Sequence, residues 1–194
     1  MVNHQIKDQP VVILIRGLPG SGKTYLARAL QEAIGGDRVV MLDPDAIDFQ
    51  SQEYLEHVKK LTAEGVDPQL HAYRFSRAKA YKGIEDNKII IWNQPFTNLE
   101  IFNKMAGRLC HHAQEHKLDL SILVVEVMLD PAVAKQRMVE RKQAGGHGPS
   151  EETFTRFIND YQSFAGEGYK TVTVRGDADL EASVAAVMAA LKHL

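Results

Sequence analysis

A glycine-rich octapeptide near the amino terminus constrains this chain more than any other feature. It fits the phosphate-binding loop pattern G-x-x-x-x-G-K-[ST], and its residues are Gly17, Leu18, Pro19, Gly20, Ser21, Gly22, Lys23 and Thr24. An apolar run at residues 11–15 predicts a buried strand before it, and apolar residues at helical spacing predict a helix after it. Strand, glycine-rich turn and helix together are the setting in which the pattern binds phosphate.

The residue types of this loop suit a polyphosphate. The glycines let the backbone bend and approach an anion closely, with successive N–H groups pointing inward. The helix that begins near Lys23 adds the partial positive charge of its N-terminus. Lys23 can reach the β- and γ-phosphates, and the Thr24 hydroxyl can bind Mg²⁺. The sequence therefore predicts a site for a magnesium nucleoside triphosphate, and it leaves ATP and GTP both open because the base is recognised outside the loop.

Apolar strands alternate with helical segments along the rest of the chain. The predicted strands lie at residues 11–15, 39–42, 88–92, 120–129 and 169–174. This alternation predicts an α/β fold with a mainly parallel five-stranded sheet flanked by helices. Residues 1–194 show no repeat or linker, so we expect one domain. Residues 51–84 predict two helices broken near 65–68, and their polar character favours a cap over the site more than core. A further helix is expected from Ser150 to about Phe164.

Composition and charge argue against several classes of protein. The formal net charge of −2 gives no general attraction to nucleic acid or to an acidic membrane. Residues 1–9 are polar and lack the apolar region of a signal peptide, and the longest apolar stretch, residues 122–129, is interrupted by Glu126. The single cysteine, Cys110, cannot form an internal disulfide. We therefore expect a cytoplasmic protein that takes neither nucleic acid nor a membrane as its partner.

Two aspartates follow directly after the second predicted strand, and an asparagine follows the third. A phosphoryl-transfer site needs a carboxylate that accepts the proton of the attacking hydroxyl, and often another that helps to hold Mg²⁺. Asp45 is the candidate base and Asp43 the candidate metal ligand. Asp-Pro-Asp is also an ordinary turn sequence, so it is the position beside the phosphate loop that favours catalysis. Asn93 belongs to the same edge, because ligands of parallel sheets bind beyond the carboxyl ends of the strands.

A basic helix followed by a glycine-rich segment predicts a lid over residues 137–150. Arg137 and Arg141 are four residues apart and share a helix face. Such a face could close over the triphosphate and stabilise charge in the transition state, and His147 could touch phosphate. The alternative is a solvated basic helix end that complements the helix dipole.

Residues 112–116 match the H-x-x-E-H pattern of inverted zinc peptidases. His112 and His116 could point the same way and bind a metal. No third ligand is evident elsewhere in the sequence, and the residues that follow are typical of an exposed helix end. A polar helix face is therefore the expected structure, and metal-dependent hydrolysis is not the expected activity.

With these motifs in place, the chain resembles the small P-loop kinases of the zeta-toxin and polynucleotide-kinase-like group. The resemblance covers the loop, the strand end at residues 42–45 and the helix at residues 130–141. It implies a five-stranded parallel sheet with the loop after a central strand, and ATP as the phosphoryl donor. It also implies Asp45 as the base that activates the acceptor hydroxyl, and Arg137 and Arg141 as arginines of the lid.

The chain departs from this group at two places. Residues 47–49 lack the arginine that many members carry shortly after the catalytic aspartate. Asn93 stands where the third strand commonly ends in an aspartate. Both departures concern the acceptor more than the binding of ATP.

These observations together predict an ATP-dependent kinase that uses Mg²⁺ and transfers the γ-phosphate to a hydroxyl of a small-molecule acceptor. Residues 51–84 would shape the acceptor pocket, with Tyr73, Arg74 and Arg77 as candidate contacts. Two alternatives stay open: a kinase of nucleic-acid 5′-hydroxyl ends, and a non-catalytic nucleotide-binding switch that controls a partner. The resemblance also allows a neutralising protein partner of the antitoxin kind.

Overall fold

Five parallel strands form a single sheet in the part of the chain that the structure describes, which is residues 9–146, 148–164 and 166–194 of a computed structural model. The strands are β1 (Val11–Arg16), β2 (Val39–Leu42), β3 (Ile89–Asn93), β4 (Ser121–Met128) and β5 (Lys170–Arg175). Their order across the sheet is β2-β3-β1-β4-β5, and every neighbouring pair is parallel. The strand that leads into the glycine-rich loop is therefore central, as the family resemblance implied.

Helices cover both faces of this sheet. They are α1 (Lys23–Ile34), α2 (Gln52–Ala63), α3 (His71–Glu85), α4 (Leu99–Glu115), α5 (Pro131–Gln143), α6 (Glu151–Asn159) and α7 (Leu180–Leu191). Short 3₁₀ turns lie at Gly36–Arg38, Pro44–Ala46 and Pro68–Leu70. The α/β fold predicted from the alternation of strands and helices is thereby confirmed.

The central strand is buried on both faces, because its side chains alternate between two hydrophobic clusters. Val12 and Leu14 pack with α3 and α4 on one face. Val11, Ile13 and Ile15 pack with α1 and α7 on the other. Helices cover this parallel strand on both sides, so nearly all of its side chains must be apolar. The sequence therefore shows a continuous apolar run at residues 11–15.

A third hydrophobic cluster lies under the glycine-rich loop. Leu18 of the loop packs with Ala134 and Met138 of α5 and with Phe154 of α6. The amino-terminal half of α5 is therefore in direct contact with the loop. The predicted lid, residues 137–150, continues from the helix that makes this contact.

Three helices begin at capping residues, and the start at Ser150 was predicted from the sequence. Asn98, Asp130 and Ser150 each accept a hydrogen bond from a backbone N–H in the first turn of the helix that follows. These bonds satisfy N–H groups that have no partner within the helix. The cap at Ser150 could be predicted because both its residue type and its place before a helical pattern are local features of the sequence.

The helix α6 is shorter than the sequence predicted, since it ends at Asn159 and not near Phe164. Beyond α6, the N–H of Gln162 donates to the carbonyl oxygen of Thr97 at 3.1 Å. Phe164 is buried in the cluster that covers one face of the sheet. These contacts reach partners far away in sequence, so helical spacing alone could not reveal them.

The polar segment at residues 51–84 contributes more to the core than its composition suggested. Ala80 and Ile84 of α3 are fully buried, and Phe75 is nearly so. The charged residues of α3 are half-buried or exposed, so the helix has a one-sided apolar stripe that its composition conceals. Part of α3 therefore belongs to the core, which its polar composition did not indicate. The cap itself, the lid at 137–150 and the single-domain organisation stay predictions.

No helix within the described ranges is long and apolar enough to cross a membrane. Residues 1–8 of the polar amino-terminal segment, and His147 of the lid, lie outside the described residues. What was expected of them stays a prediction.

Replacement of Ile84 by alanine tests the place of α3 in the core. Because Ile84 is fully buried, we expect the free energy of unfolding to fall by about 2–5 kcal/mol through lost burial and a residual cavity. Leu55→Ala on α2 is the matched control, since Leu55 is 44% exposed and its loss should change stability by about 0.5 kcal/mol or less. Urea denaturation followed by circular dichroism measures both variants, and equal losses would contradict this packing.

Candidate active site

The glycine-rich loop lies at the carboxyl edge of the sheet, and neighbouring backbone holds it from two sides. Gly20 has a φ of 86°, and a Cβ there would lie 2.4 Å from the carbonyl oxygen of Ala134 in α5. Gly176, between β5 and α7, approaches the loop so closely that a Cβ would lie 1.9 Å from the carbonyl oxygen of Ser21. Only glycine fits at either position, so packing fixes the path of the loop.

The side chain of Lys23 is nearly buried against the loop. Lys23 is 8% exposed, and its Nζ donates a hydrogen bond to the carbonyl oxygen of Leu18 at 2.8 Å. Burial lowers the pKa of the ammonium to about 8, and the negative charges of Asp43 and Asp45 oppose that shift. Both carboxylates are therefore close enough to Lys23 to act on its charge.

Three side chains from different elements meet beside the start of α1. Thr24 is in the first turn of α1, Asp43 follows β2, and Asn93 ends β3. The Nδ2 of Asn93 donates to Thr24 Oγ1 at 3.0 Å and to Asp43 Oδ2 at 2.7 Å. The nitrogen must face Asp43, because a carboxylate accepts hydrogen bonds and cannot donate them. We refer to Thr24, Asp43 and Asn93 as the edge cluster.

The donor set of the edge cluster fits Mg²⁺. The Thr24 hydroxyl and the Asp43 carboxylate are hard oxygen ligands of the kind that Mg²⁺ prefers, and the Asn93 amide orients both of them. Asn93 is 4% exposed, and its buried Oδ1 has no hydrogen-bond partner in the described part of the chain. Because a buried acceptor without a partner costs free energy, this atom points to a ligand or an ordered water that completes the site.

The two aspartates occupy different positions at the 3₁₀ turn Pro44–Ala46. Asp43 is half-buried and caps the turn, since its Oδ1 accepts a hydrogen bond from the N–H of Asp45 at 3.1 Å. Burial raises the pKa of Asp43, and the hydrogen bonds that its carboxylate accepts oppose this shift. Asp45 is exposed on the same turn. Hydrogen bonds therefore hold the carboxylate of Asp43, whereas the carboxylate of Asp45 is open to solvent.

A buried arginine at the end of β1 was not predicted. Arg16 is 0% exposed; its Nη1 lies 3.3 Å from Glu126 Oε1, and its Nη2 donates to the carbonyl oxygen of Gln162 at 2.7 Å. The guanidinium lies over the rings of Tyr161 and Phe164, at 4.3 and 3.8 Å from their centroids. Arg16 and Glu126 are register partners on β1 and β4, so an arginine directly after the first predicted strand and an acid within the fourth were the available signal. These contacts tie the strand that enters the loop to the segment after α6.

One of the two predicted lid arginines lies beside the loop. Arg137 is half-buried, and its Nη1 donates to the carbonyl oxygen of Gly176 at 2.9 Å. Gly176 is the residue that packs on Ser21. Arg141 is exposed one turn further along α5, next to Gly146. Contact of either arginine with phosphate stays a prediction.

The candidate acceptor contacts lie on α3, which packs against the turn Pro44–Ala46. The ring of Tyr73 lies 5.9 Å from that of Trp92 near the end of β3. The guanidinium of Arg77 lies 5.7 Å from the ring centroid of Tyr73, and Arg74 is half-buried. The helix is thus next to the turn that carries both aspartates, while the role of these three side chains toward an acceptor stays a prediction.

The H-x-x-E-H segment has a third ligand candidate that the sequence did not reveal. Glu85, at the end of α3, lies next to both His112 and His116. Glu115 of the motif is paired with His111 at 3.5 Å. The expectation that nothing elsewhere supplies a third ligand is therefore wrong.

The sheet order, the glycine-rich loop after the central strand and the adjoining edge cluster define a P-loop protein with the fold of nucleoside and sugar kinases. The chain belongs to the AAA domain family, which it matches over residues 12–163. It is also 31% identical over 154 residues to human NEDD4-binding protein 2, and this match covers 79% of the chain. The chain spans 8% of the length of that relative.

Solved structures of kinases share this fold. A gluconokinase from Sinorhizobium meliloti 1021 matches with a TM-score of 0.57 at 17% identity, covering 96% of this chain and 93% of that one. Deoxyadenosine kinase from M. mycoides with bound dATP matches with a TM-score of 0.52 at 17% identity, covering 92% and 98%. A chain of the PezAT toxin–antitoxin system of Streptococcus pneumoniae matches with a TM-score of 0.58 at 15% identity, covering 92% and 73%. At these identities the likeness establishes the shared fold.

Binding of a magnesium nucleotide should take up a proton at high pH because of Lys23. The ammonium loses its proton near pH 8 in the free protein, whereas phosphate oxygens favour its charged form. Below about pH 7 Lys23 is already charged, so its contribution to affinity should be level there; above its pKa the affinity should fall by up to about tenfold per pH unit. Calorimetry at about pH 9, in two buffers of different ionisation enthalpy, should show uptake of close to one proton per nucleotide.

Lys23→Ala is the control for this experiment. Its residual binding should be weaker and should lose the proton uptake. Uptake near zero in the unaltered protein would show that Lys23 keeps its charge in the free state, which is inconsistent with the burial described above.

Proposed function

We propose that this protein is an ATP-dependent kinase that transfers the γ-phosphoryl group to a hydroxyl of a small molecule. The observation that carries the proposal is the hydrogen-bonded edge cluster directly beside the phosphate-binding loop, in which Asn93 joins Thr24 and Asp43. The kinases among the proteins of similar fold support the reaction class. The choice of ATP as donor rests on the resemblance to small P-loop kinases.

The loop and Lys23 would bind the donor. Backbone N–H groups of the loop and the N-terminus of α1 favour the β- and γ-phosphates, and the ammonium would exchange the carbonyl of Leu18 for phosphate oxygens. Thr24 and Asp43 would hold Mg²⁺ beside these phosphates, and Asn93 would orient both ligands through its amide nitrogen. The bound ion neutralises negative charge on the transferring group.

Asp45 is the proposed general base. Asp43 already accepts hydrogen bonds on both carboxylate oxygens, whereas Asp45 is exposed on the same turn. In the reaction, the acceptor oxygen forms a bond to the γ-phosphorus while its proton passes to Asp45. The bond between the γ-phosphorus and the β–γ bridging oxygen breaks, and ADP leaves.

The lid arginines would act after closure. Because α5 packs under the loop through Ala134, movement of the segment 137–150 would pivot next to the phosphates. Release of Arg137 from the carbonyl of Gly176 would free its guanidinium to stabilise charge on the transferring group. Arg141 would join it from the same helix face and help to exclude water.

The acceptor pocket is proposed to lie between α3 and the turn Pro44–Ala46. Tyr73, Arg74 and Arg77 supply aromatic and cationic groups on the helix that packs against this turn. A net charge of −2 gives no general attraction to a long polyanion. This charge favours a small acceptor over a nucleic-acid end.

A nucleotide-binding switch is the second candidate function. Its support is the neutral Asn93 at the end of β3, where the kinases that the chain resembles commonly carry an acid. A switch of this kind would bind ATP tightly and show no turnover that depends on an acceptor.

The reaction class is tested by a screen with γ-labelled ATP and Mg²⁺ against a panel of hydroxyl metabolites and one 5′-hydroxyl oligonucleotide. We expect the labelled phosphate to be transferred to a metabolite. The Lys23→Ala variant is the negative control, since it should transfer no label. Label on the oligonucleotide alone would replace the proposal with a nucleic-acid end kinase. Saturable ATP binding without any labelled acceptor would favour the switch.

Asp45→Asn should reduce turnover at least about a hundredfold and spare the affinity for ATP, because an amide cannot accept the proton of the acceptor. Asp48→Asn is the matched control, since Asp48 is an exposed aspartate three residues further on and should tolerate the change. ADP release in the presence of acceptor measures turnover, and calorimetry measures ATP affinity. Unchanged turnover in Asp45→Asn would remove this residue from the mechanism.

A further inference from the structure

Two histidines and a glutamate converge on the side of the molecule where α3 and α4 pack together. His112 lies in the last turn of α4, His116 directly follows that helix, and Glu85 is the last residue of α3. The Oε1 of Glu85 lies 2.9 Å from His112 Nε2 and 3.8 Å from His116 Nε2. All three ligand atoms lie within 4.8 Å of one another. The convergence joins two helices, so it is not a consequence of helical spacing alone.

Further contacts, besides those among the three ligand atoms, set the orientation of both imidazole rings. His116 Nδ1 is 2.9 Å from the carbonyl oxygen of His112. Because a carbonyl only accepts, Nδ1 carries the proton in this bond, and the lone pair of a neutral His116 is left on Nε2. The ring of His112 is stacked on Tyr81 of α3, with centroids 4.0 Å apart and planes 10° apart. A second bond that fixes the tautomer of a histidine is typical of metal ligands.

We propose that Glu85, His112 and His116 form a binding site for Zn²⁺ that cross-links α3 and α4. Ligands at about 2.0–2.2 Å from a tetrahedral zinc ion lie about 3.3–3.5 Å from one another, and the two measured separations, 2.9 and 3.8 Å, fall on either side of that range. Zinc would take the place of the proton between Glu85 and His112 Nε2. A neutral His112 would then carry its one proton on Nδ1, whereas an imidazolium would keep the Nδ1 proton and release the other to solvent. Water would complete the fourth position.

The chemistry of these ligands favours zinc over magnesium. Imidazole nitrogen suits zinc and other late first-row divalent ions, whereas Mg²⁺ prefers oxygen ligands. The side chains of Glu85 and His116 are 41% and 45% exposed, so an ion can enter from solvent. The side chain of His112 is 14% exposed, which gives the site one anchored ligand.

This zinc site lies at the opposite edge of the sheet from the phosphate-binding loop. Glu85 shortly precedes β3, and His116 shortly precedes β4, so both lie near the amino ends of parallel strands. The loop follows the carboxyl end of β1. Zinc bound here would therefore act on the packing of α3 against α4 and not on the phosphates.

The same helix offers a matched control. His111 and Glu115 form a pair at 3.5 Å on α4, each one residue before a histidine of the proposed site. The pair does not belong to the three-ligand group found among the described residues. Its replacement removes one histidine and one acid from the same helix and leaves the proposed ligands intact.

Calorimetric titration of the full chain with ZnCl₂, without a polyhistidine tag, tests the site. We expect one saturable site that excess Mg²⁺ does not displace. Glu85→Gln keeps the side-chain shape and removes the anionic ligand, and His116→Ala removes a half-exposed one; each should weaken binding at least about tenfold. The double variant His111→Ala, Glu115→Gln should bind zinc as tightly as the unaltered protein.

Thermal denaturation gives a second readout that does not depend on enzymatic activity. Zinc at about a hundred times its dissociation constant should raise the midpoint of the unaltered protein by about 5–10 °C, and the same zinc concentration should raise that of Glu85→Gln by about half as much or less. Absence of a saturable site in the unaltered protein would overturn the proposal, and Glu85 would then be an acid paired with two histidines. Equal zinc affinity in Glu85→Gln, His116→Ala and the unaltered protein would also overturn it, since the ion would be held elsewhere.

Discussion

The fixed path of the phosphate-binding loop is the constraint on which the rest of the structure depends. Ala134 and Gly176 close on the loop from two sides with backbone atoms, and the buried Arg16 secures the strand that enters it. A loop held in this way needs no ordering before it binds an anion, which is the basis of preorganised electrostatic binding. The same packing brings α5 and the connection from β5 to α7 within reach of bound phosphates.

The charge of Lys23 beside the loop depends on burial and on two nearby carboxylates. Burial of Lys23 opposes its charge, and the two nearby carboxylates support it. Asn93 adds a donor and an acceptor to the edge cluster without adding charge, so Asp43 is the one acid of that cluster. Because a single carboxylate is a weak site for Mg²⁺ by itself, we expect the ion to bind together with the nucleotide and not before it.

Local signals sufficed to predict the fold, and distant contacts account for what was missed. Buried parallel strands were recognised from apolar runs. The cap at Ser150 and the glycine-rich loop were recognised from residues that are adjacent in the sequence. Asp43 and Asn93 were predicted from strand ends and Thr24 from the glycine-rich loop, whereas their hydrogen bonds depend on the sheet order. Glu85 meets His112 across 27 residues, and Arg16 meets Gln162 across 146. No helical or strand period encodes such contacts, so neither the partners of Arg16 nor the convergence of Glu85 on the two histidines could be predicted from periodicity.

A crystal structure with Mg²⁺ and a non-hydrolysable ATP analogue tests the central claim most directly. The account predicts that Lys23 Nζ leaves the carbonyl of Leu18 for phosphate oxygens, and that loop N–H groups bind the β- and γ-phosphates. It also places the ion beside Thr24 and Asp43. A nucleotide bound elsewhere, or a loop whose N–H groups turn away from the phosphates, would contradict the account.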